Sequence, residues 1–166
     1  YALEYSELEV ASIYYNMGNA YLEAGQYKNA LTAYDNALDY SSENQKKHVQ
    51  ILNKQGLCYF RMGRMESSKN SFLDLLNMEQ DLSPNNQRYL GMAMHNLGNV
   101  YQSQSRLDSA TLFFHRALSL KNGKQKFITY MDLGELFIKE GKLIKGRALL
   151  DSAIQIHSQL SLLPDN

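Results

Sequence analysis

Chemistry in a chain of this size would have to come from four histidines, one cysteine and whatever carboxylates or glycine loops stand near them. The histidines are His48, His95, His115 and His157, and the cysteine is Cys58. No two histidines stand four apart, none lies in an H-E-x-x-H, and none is placed with Cys58 at metal-ligand spacing. A lone cysteine also excludes an internal disulfide and a multi-cysteine zinc cage. There is no G-x-S-x-G elbow. Gly134 and the Gly141-Lys142 pair enclose six residues where a phosphate-binding loop encloses four. The sequence therefore predicts no catalytic residue, no metal and no cofactor, and the chain is read as a non-enzyme. Its histidines belong on the surface or in a groove, and Cys58 in the core as a small apolar side chain.

The bulk properties point the same way. Seventeen Lys and Arg balance seventeen Asp and Glu among 166 residues, a net charge of zero. A nucleic-acid binder held by phosphate contacts is normally basic, so nucleic acid is not an expected partner. Hydrophobic residues make up 44%, enough for a packed core and too many for a disordered segment. No apolar run reaches the roughly 20 residues of a membrane span, and no basic-then-apolar leader opens the chain. The charge is unevenly placed. Residues 1–40 hold six acids (Glu4, Glu7, Glu9, Glu23, Asp35, Asp39) against Lys28, a net of −5. Bases gather late, at Lys121, Lys124, Lys126, Lys139, Lys142, Lys145 and Arg147. Solvated outer helix faces account for most of this, and steering of a charged partner is the alternative.

A phrase recurs along the chain. It reads Asn16-Met17-Gly18-Asn19-Ala20-Tyr21, then Lys54-Gln55-Gly56-Leu57-Cys58-Tyr59, then Asn96-Leu97-Gly98-Asn99-Val100-Tyr101, then Asp132-Leu133-Gly134-Glu135-Leu136-Phe137. Outward from each glycine further columns align. Seven after it stand Gly25, Gly63, Ser105 and Gly141. Twelve after it come the small residues Ala30, Ser68, Ala110 and Gly146, and sixteen after it the large Tyr34, Phe72, Phe114 and Leu150. Two helices per copy explain the columns. Apolar residues four before, one before and three after the glycine share one stripe at helical spacing. A mid-helix glycine costs about 1 kcal/mol relative to alanine, so it marks a place where a neighbouring helix comes too close for a side chain. The residue at plus seven ends the first helix, and the large residue at plus sixteen fills the gap between the two. Eight helices are predicted, over 8–24, 27–42, 45–62, 65–80, 85–104, 107–120, 124–140 and 143–159. Only Pro84 and Pro164 could interrupt them.

These columns resemble the tetratricopeptide repeat family, whose signature is W-x2-L-G-x2-Y followed by A-x3-F. Here the signature stands as Tyr14-x2-Met17-Gly18-x2-Tyr21 with Ala30-x3-Tyr34, and as Met94-x2-Leu97-Gly98-x2-Tyr101 with Ala110-x3-Phe114. Tyr130-x2-Leu133-Gly134-x2-Phe137 is a further copy. The copy around Gly56 departs most, with Gln55 in an apolar column and Leu75 in a small one. The resemblance implies an all-α fold, a right-handed superhelical solenoid of four tandem helix-turn-helix repeats. Residues 8–44, 45–84, 85–123 and 124–160 would be the repeats, and their length resembles the long-helix subgroup found in signalling regulators and motor-cargo adaptors. Residues 1–7 echo the tail of a preceding repeat, since Ala2-Leu3-Glu4-Tyr5-Ser6 matches Ala37-Leu38-Asp39-Tyr40-Ser41. Residues 161–166 echo the entry to the third repeat, Leu163-Pro164-Asp165-Asn166 against Ser83-Pro84-Asn85-Asn86. The expectation is a window of a longer array.

The resemblance also implies a binding surface. In this family the stripe three before, one after and four after the glycine lines a concave groove that takes peptides. Here that stripe holds Tyr15, Asn19 and Leu22; Asn53, Leu57 and Phe60; His95, Asn99 and Gln102; and Met131, Glu135 and Ile138, with Glu23, Arg61, Ser103 and Lys139 along its edge. The expected ligand-facing set is Tyr15, Asn19, Glu23, Asn53, Phe60, His95, Asn99, Gln102, Met131 and Glu135. Asparagine amides donate and accept at once, which suits a peptide backbone. Repeats that clamp C-terminal carboxylates carry a lysine where this chain has Tyr15, and bases in the third first-helix where it has Met92 and Met94, so that subtype does not fit. The expected function is a protein- or peptide-binding module, the sensory or regulatory segment of a larger kinase or transcription regulator. No membrane contact is expected. The alternative is a structural scaffold that self-assembles, as a homodimer, through apolar repeat ends.

Overall fold

The computed structural model describes residues 6–41, 44–79, 82–120 and 123–161. The two terminal echoes, Ala2 to Tyr5 and Leu163 to Asn166, lie outside these residues, as do Lys121 and the side chain of Lys124. Among the described residues there are eight α-helices and no strand: α1 Glu7–Glu23, α2 Tyr27–Asp39, α3 Gln45–Arg61, α4 Met65–Asn77, α5 Gln87–Ser103, α6 Leu107–Leu120, α7 Gly123–Lys139 and α8 Leu143–Ser161. The chain divides into two compact units, residues 1–89 and 90–166.

Three of the boundaries that differ from expectation have a local cause. The second helix stops at Asp39 because the backbone N–H and hydroxyl of buried Ser41 both return to the Leu38 carbonyl, at 3.0 and 3.1 Å. The fourth stops at Asn77, where the Met78 N–H turns to the Leu75 carbonyl at 3.2 Å. The fifth starts two residues late, because Pro84–Asn86 form a 3-10 turn first. Two starts are locally encoded. Ser6 and Glu9 form a reciprocal capping box on α1, in which the Ser6 N–H reaches the Glu9 carboxylate at 2.7 Å. That backbone bond, then the Ser6 hydroxyl, holds the Glu9 carboxyl below its usual pKa. On α3 the Asn44 side chain accepts from the Lys47 N–H at 2.8 Å.

In the first unit α1 packs on α2, α2 on α3 and α3 on α4, and α1 also touches α3. Their core gathers Ala30, Leu31, Tyr34, Ala37, Ile51 and Cys58. In the second unit α6 packs on α7 and α7 on α8, around Ala110, Phe114, Leu133 and Leu136. The anchor glycines are buried where their column predicts, and what fills their missing side chains is specific. A Cβ at Gly18 would lie 2.5 Å from the Tyr34 ring, at Gly56 2.5 Å from Phe72, and at Gly98 2.5 Å from Phe114. The ring sixteen residues on, rather than the facing backbone, claims that space. The last copy differs because Leu150 is smaller. There a Cβ on Gly134 would meet Leu150 at 2.9 Å and the Gly146 carbonyl at 3.1 Å. A Cβ on Gly146 would meet the Gly134 carbonyl at 2.8 Å, so here the two backbones do approach.

The plus-seven residues take left-handed backbone, with φ of 71° at Gly25, 73° at Gly63, 58° at Ser105 and 76° at Gly141. In each case the following residue's N–H closes the turn, as in Gln26 to the Tyr21 carbonyl at 2.8 Å and Arg106 to Tyr101 at 2.9 Å. Among the described residues one helix face is less covered than its counterparts. Ile13 is 52% and Met17 38% exposed on α1, whereas the same columns on α5 and α7 (Ala93, Thr129, Leu97, Leu133) are fully buried.

Two stability predictions follow from these positions. A left-handed L-residue costs about 1–2 kcal/mol, and glycine's extra unfolded-state entropy takes back about 0.4–1 kcal/mol. Ser105→Gly is therefore expected to stabilise by about 0.5–1 kcal/mol, a rise of a few degrees in Tm, read by calorimetry. Gly98→Ala is expected to destabilise by about 1–3 kcal/mol through overpacking against Phe114. In a double-mutant cycle with Phe114→Leu, urea denaturation should give a favourable coupling between the two changes; strict additivity would mean that the ring does not set the space.

Candidate peptide-binding faces

The first unit presents its candidate face on α1 and α3. Tyr15 is half-buried, with its ring centroid 5.9 Å from that of Tyr34 and the Lys47 ammonium 4.6 Å above it. Asn19, one turn on, accepts a hydrogen bond from the Tyr34 hydroxyl at 2.9 Å and also bonds the Tyr15 hydroxyl. Burial is the main reason that both phenols ionise less readily than a free tyrosine. At Tyr15 the Asn19 bond opposes that shift and Tyr89 adds to it. Asn19 is thus a tie between core tyrosines as well as a surface amide. Asn53 is only 5% exposed, Phe60 and Leu57 are half-buried, and Leu22 packs against the core. Glu23 and Arg61 are exposed at the edge. The odd Gln55 is accounted for by α2: its amide donates to the Asp35 carboxylate at 2.6 Å, a contact no apolar residue could make. Burial raises the Asp35 pKa, and the Gln55 bond works against that rise.

The second unit presents a polar cluster across α5 and α7. His95, 9% exposed, places Nδ1 3.0 Å from the Thr129 hydroxyl. Its Nε2 lies 3.3 Å from the Asn99 amide and 3.4 Å from the Asp132 carboxylate. The neutral ring satisfies Thr129 and Asn99 by donating from Nδ1 and accepting at Nε2, while the protonated ring donates to Asp132. Its other face lies against Phe114, with centroids 5.6 Å apart. Gln102 and Met131, on the same two helices, are half-buried, while Glu135 and Ile138 are exposed. Sequence columns placed His95 and Asn99 on this stripe. They gave no sign of Thr129 or Asp132, which differ from their counterparts in the other copies, nor of Tyr34 as the partner of Asn19.

Cys58 is not placed as a nucleophile. Cys58 is fully buried, and burial pushes its thiol up to about 11, with Lys54 opposing. Among the described residues no group of three His, Cys, Asp or Glu could hold a metal, and no helix is long and apolar enough to cross a membrane. Part of the late basic group is paired: Lys142 lies 3.1 Å from Glu140, and Arg147 3.9 Å from Asp151.

Tandem helical hairpins, each keyed by a bare glycine against a large residue of the partner helix, define a helical-repeat protein. Family models described as tetratricopeptide repeat match residues 9–78 and 90–122, together more than half the chain, and the chain belongs to the tetratricopeptide repeat family. No curated protein sequence matches it. Solved structures match over nearly its full length. The Rap conjugation gene regulator of the plasmid pLS20, in complex with the Phr* peptide, superposes with a TM-score of 0.83 at 21% identity, covering 96% of this chain and 45% of that one. RapI in its apo form gives 0.81 at 16% identity, covering 96% of this chain and 60% of that one. BtubC (BKLC) from P. vanneervenii gives 0.78 at 22% identity, covering 99% and 69%. At these identities the likeness shows the fold, an all-α superhelical repeat.

The Asn19 tie makes a prediction. Asn19→Ala leaves the fully buried Tyr34 hydroxyl without its acceptor, an expected cost of about 1–3 kcal/mol. Tyr34→Phe in that background should recover much of the loss by removing the orphaned group. Equal melting of the single and double variants would show that the hydroxyl finds another partner.

Proposed function

We propose that this chain is a non-catalytic protein- or peptide-binding module, working as the sensory or regulatory segment of a signalling protein. The carrying observation is the composition of the first-helix faces. Tyr15, Asn19 and Phe60 in one unit, and Asn99, Gln102 and Met131 in the other, are half-buried polar and apolar groups side by side. A solvated helix surface has no need of such aromatic groups, and a core has no need of the amides. A groove of this kind holds a ligand through a few apolar anchors and fixes its register through amides. The Rap relative, solved with a peptide, supports the reading, and so does membership of a family of interaction modules. The residues proposed to face ligand are Tyr15, Asn19, Phe60, Asn99, Gln102, Met131, Glu23 and Glu135, with Asn53 and His95 beneath them as positioning groups. The repeat boundaries proposed are those of the sequence reading, at 44/45, 84/85 and 123/124.

Self-assembly through repeat ends is a second reading, favoured by the uncovered Ile13 and Met17 on α1. The two separate by experiment. Selection of random dodecapeptides on the immobilised chain should yield binders. Asn99→Ala with Gln102→Ala removes two amides and should weaken those binders by about ten- to a hundredfold, at about 0.5–1.5 kcal/mol per hydrogen bond. Absence of any binder, together with concentration-dependent association that Ile13→Glu abolishes, would favour the scaffold.

A further inference from the structure

The first unit carries a cluster of cations that none of the ten ligand-facing residues includes. Lys46 and Lys47 stand in the first turn of α3, and Arg88 in the first turn of α5, a turn that belongs to the first unit. Lys46 and Arg88 line one depression of about 450 Å³ together with Ser83 and Asn86. A second depression, of about 320 Å³, is lined by Leu8, Ser12, Asn44, Lys46, Lys47 and Gln50. Lys46 is common to both. The aromatic floor ties them further: Lys47 sits over Tyr15, the Gln50 amide donates to the Tyr89 hydroxyl, and the Arg88 guanidinium donates to the same hydroxyl at 2.9 Å.

Among the described residues no carboxylate pairs with Lys46, Lys47 or Arg88, although Lys69, Lys142 and Arg147 all have acidic partners. Lys47 is partly desolvated, and burial first, with Lys46 adding, lowers its ammonium pKa. Lys46 and Lys47 repel each other beside the Tyr15 ring, with Arg88 sharing a depression with Lys46, and an incoming anion would relieve that repulsion. From this geometry we infer that the surface formed by Lys46, Lys47 and Arg88 beside Tyr15 and Tyr89 receives the acidic side chains of a peptide ligand. The inference rests on the peptide-binding reading above and supplies the ligand's chemical class.

The neighbours favour a short acidic peptide over a polyanion. Leu8, 44% exposed, forms an apolar wall of the second depression, so an acidic residue next to an apolar one suits the pair of sites. Glu7 and Glu9 flank Leu8 in sequence and are exposed, and the chain as a whole has no net positive charge to draw a nucleic acid. The cations stand nine and ten residues before their glycines, at the helix starts, so a ligand would reach them only by extending beyond the Asn19 amide.

The test selects random dodecapeptides on the full chain and then synthesises the consensus with Asp and Glu intact and with Asn and Gln in their place. The expected result is an acidic consensus. Its affinity should fall about tenfold or more on the Asn/Gln swap, and equally in the Lys46→Gln, Lys47→Gln, Arg88→Gln triple variant. Lys142→Gln with Lys145→Gln should leave it unchanged, and the gap should shrink between about 50 mM and about 500 mM salt as screening grows. Circular dichroism checks folding of the triple variant, and Lys46→Glu, at an exposed position, is the single-site counterpart. A neutral or basic consensus overturns the inference while leaving peptide binding intact. So does an acidic peptide indifferent to these variants, or a single-stranded RNA dodecamer that binds more tightly and is lost in the triple variant. Failure to select any peptide overturns the underlying reading instead.

Discussion

The packing of a ring or branched side chain onto a bare glycine, sixteen residues apart, is the contact on which the rest of each hairpin depends. A ring carbon sits 2.5 Å from where a Cβ would be at Gly18, Gly56 and Gly98, so no other residue can stand there without displacing it. Because the ring fills that gap, the second helix can bury Ala30, Ser68 or Ala110 a turn earlier with no room left over. The hydroxyl of Ser68, fully buried, shows how close this is: it donates to the Gly56 carbonyl at 2.8 Å. That bond reaches across the hairpin to a mid-helix carbonyl, which is accessible only because glycine leaves it uncovered. The fourth copy reaches the same end by a different route, with Leu150 in place of a ring and a second glycine, Gly146, letting backbone meet backbone.

The same ring that closes the hairpin also reaches the candidate face. Tyr34 keys the first hairpin with its ring edge and passes its hydroxyl through to Asn19. Phe114 keys the third and lies against His95, which in turn carries Asn99. Core and face are therefore not separable layers here. A change at the key residue moves the amides, and a change at the amide is felt in the core. This is why a face that looks like a row of independent surface positions in the sequence behaves as a set of supported groups.

Much of the architecture is legible in the sequence, because it is written in columns. Glycine, aromatic and small residues at fixed offsets require one geometry, and the helices that carry them were placed to within about three residues, a normal margin for helix ends. What the columns left out falls into two kinds. Helix ends depend on local side-chain bonds such as that of Ser41, which no periodicity reports. Partners across helices, such as Thr129 and Asp132 for His95, or Asp35 for Gln55, depend on which residues face each other, and those residues vary from copy to copy. The cluster at Lys46, Lys47 and Arg88 is of this second kind, since Arg88 lies some forty residues from the two lysines and meets Lys46 at a depression shared with Ser83 and Asn86. Composition pointed elsewhere, to the late lysines, because counting charge along a chain takes no account of which cations already have partners.

Cys58 makes the first unit its own reporter. The thiol is the only one in the chain, is fully buried in the α2–α3 core, and is raised to about 11 by that burial. In the closed state it is both inaccessible and protonated, so a thiol-specific reagent can react only with molecules in which the α2–α3 contact has opened. The labelling rate, set against that of the unfolded chain, therefore measures the opening free energy of this one contact without any substitution or added probe. A ligand that bridges α1 and α3 would slow the labelling by the fraction of molecules it holds closed. Occupancy of the face could thus be followed from inside the core.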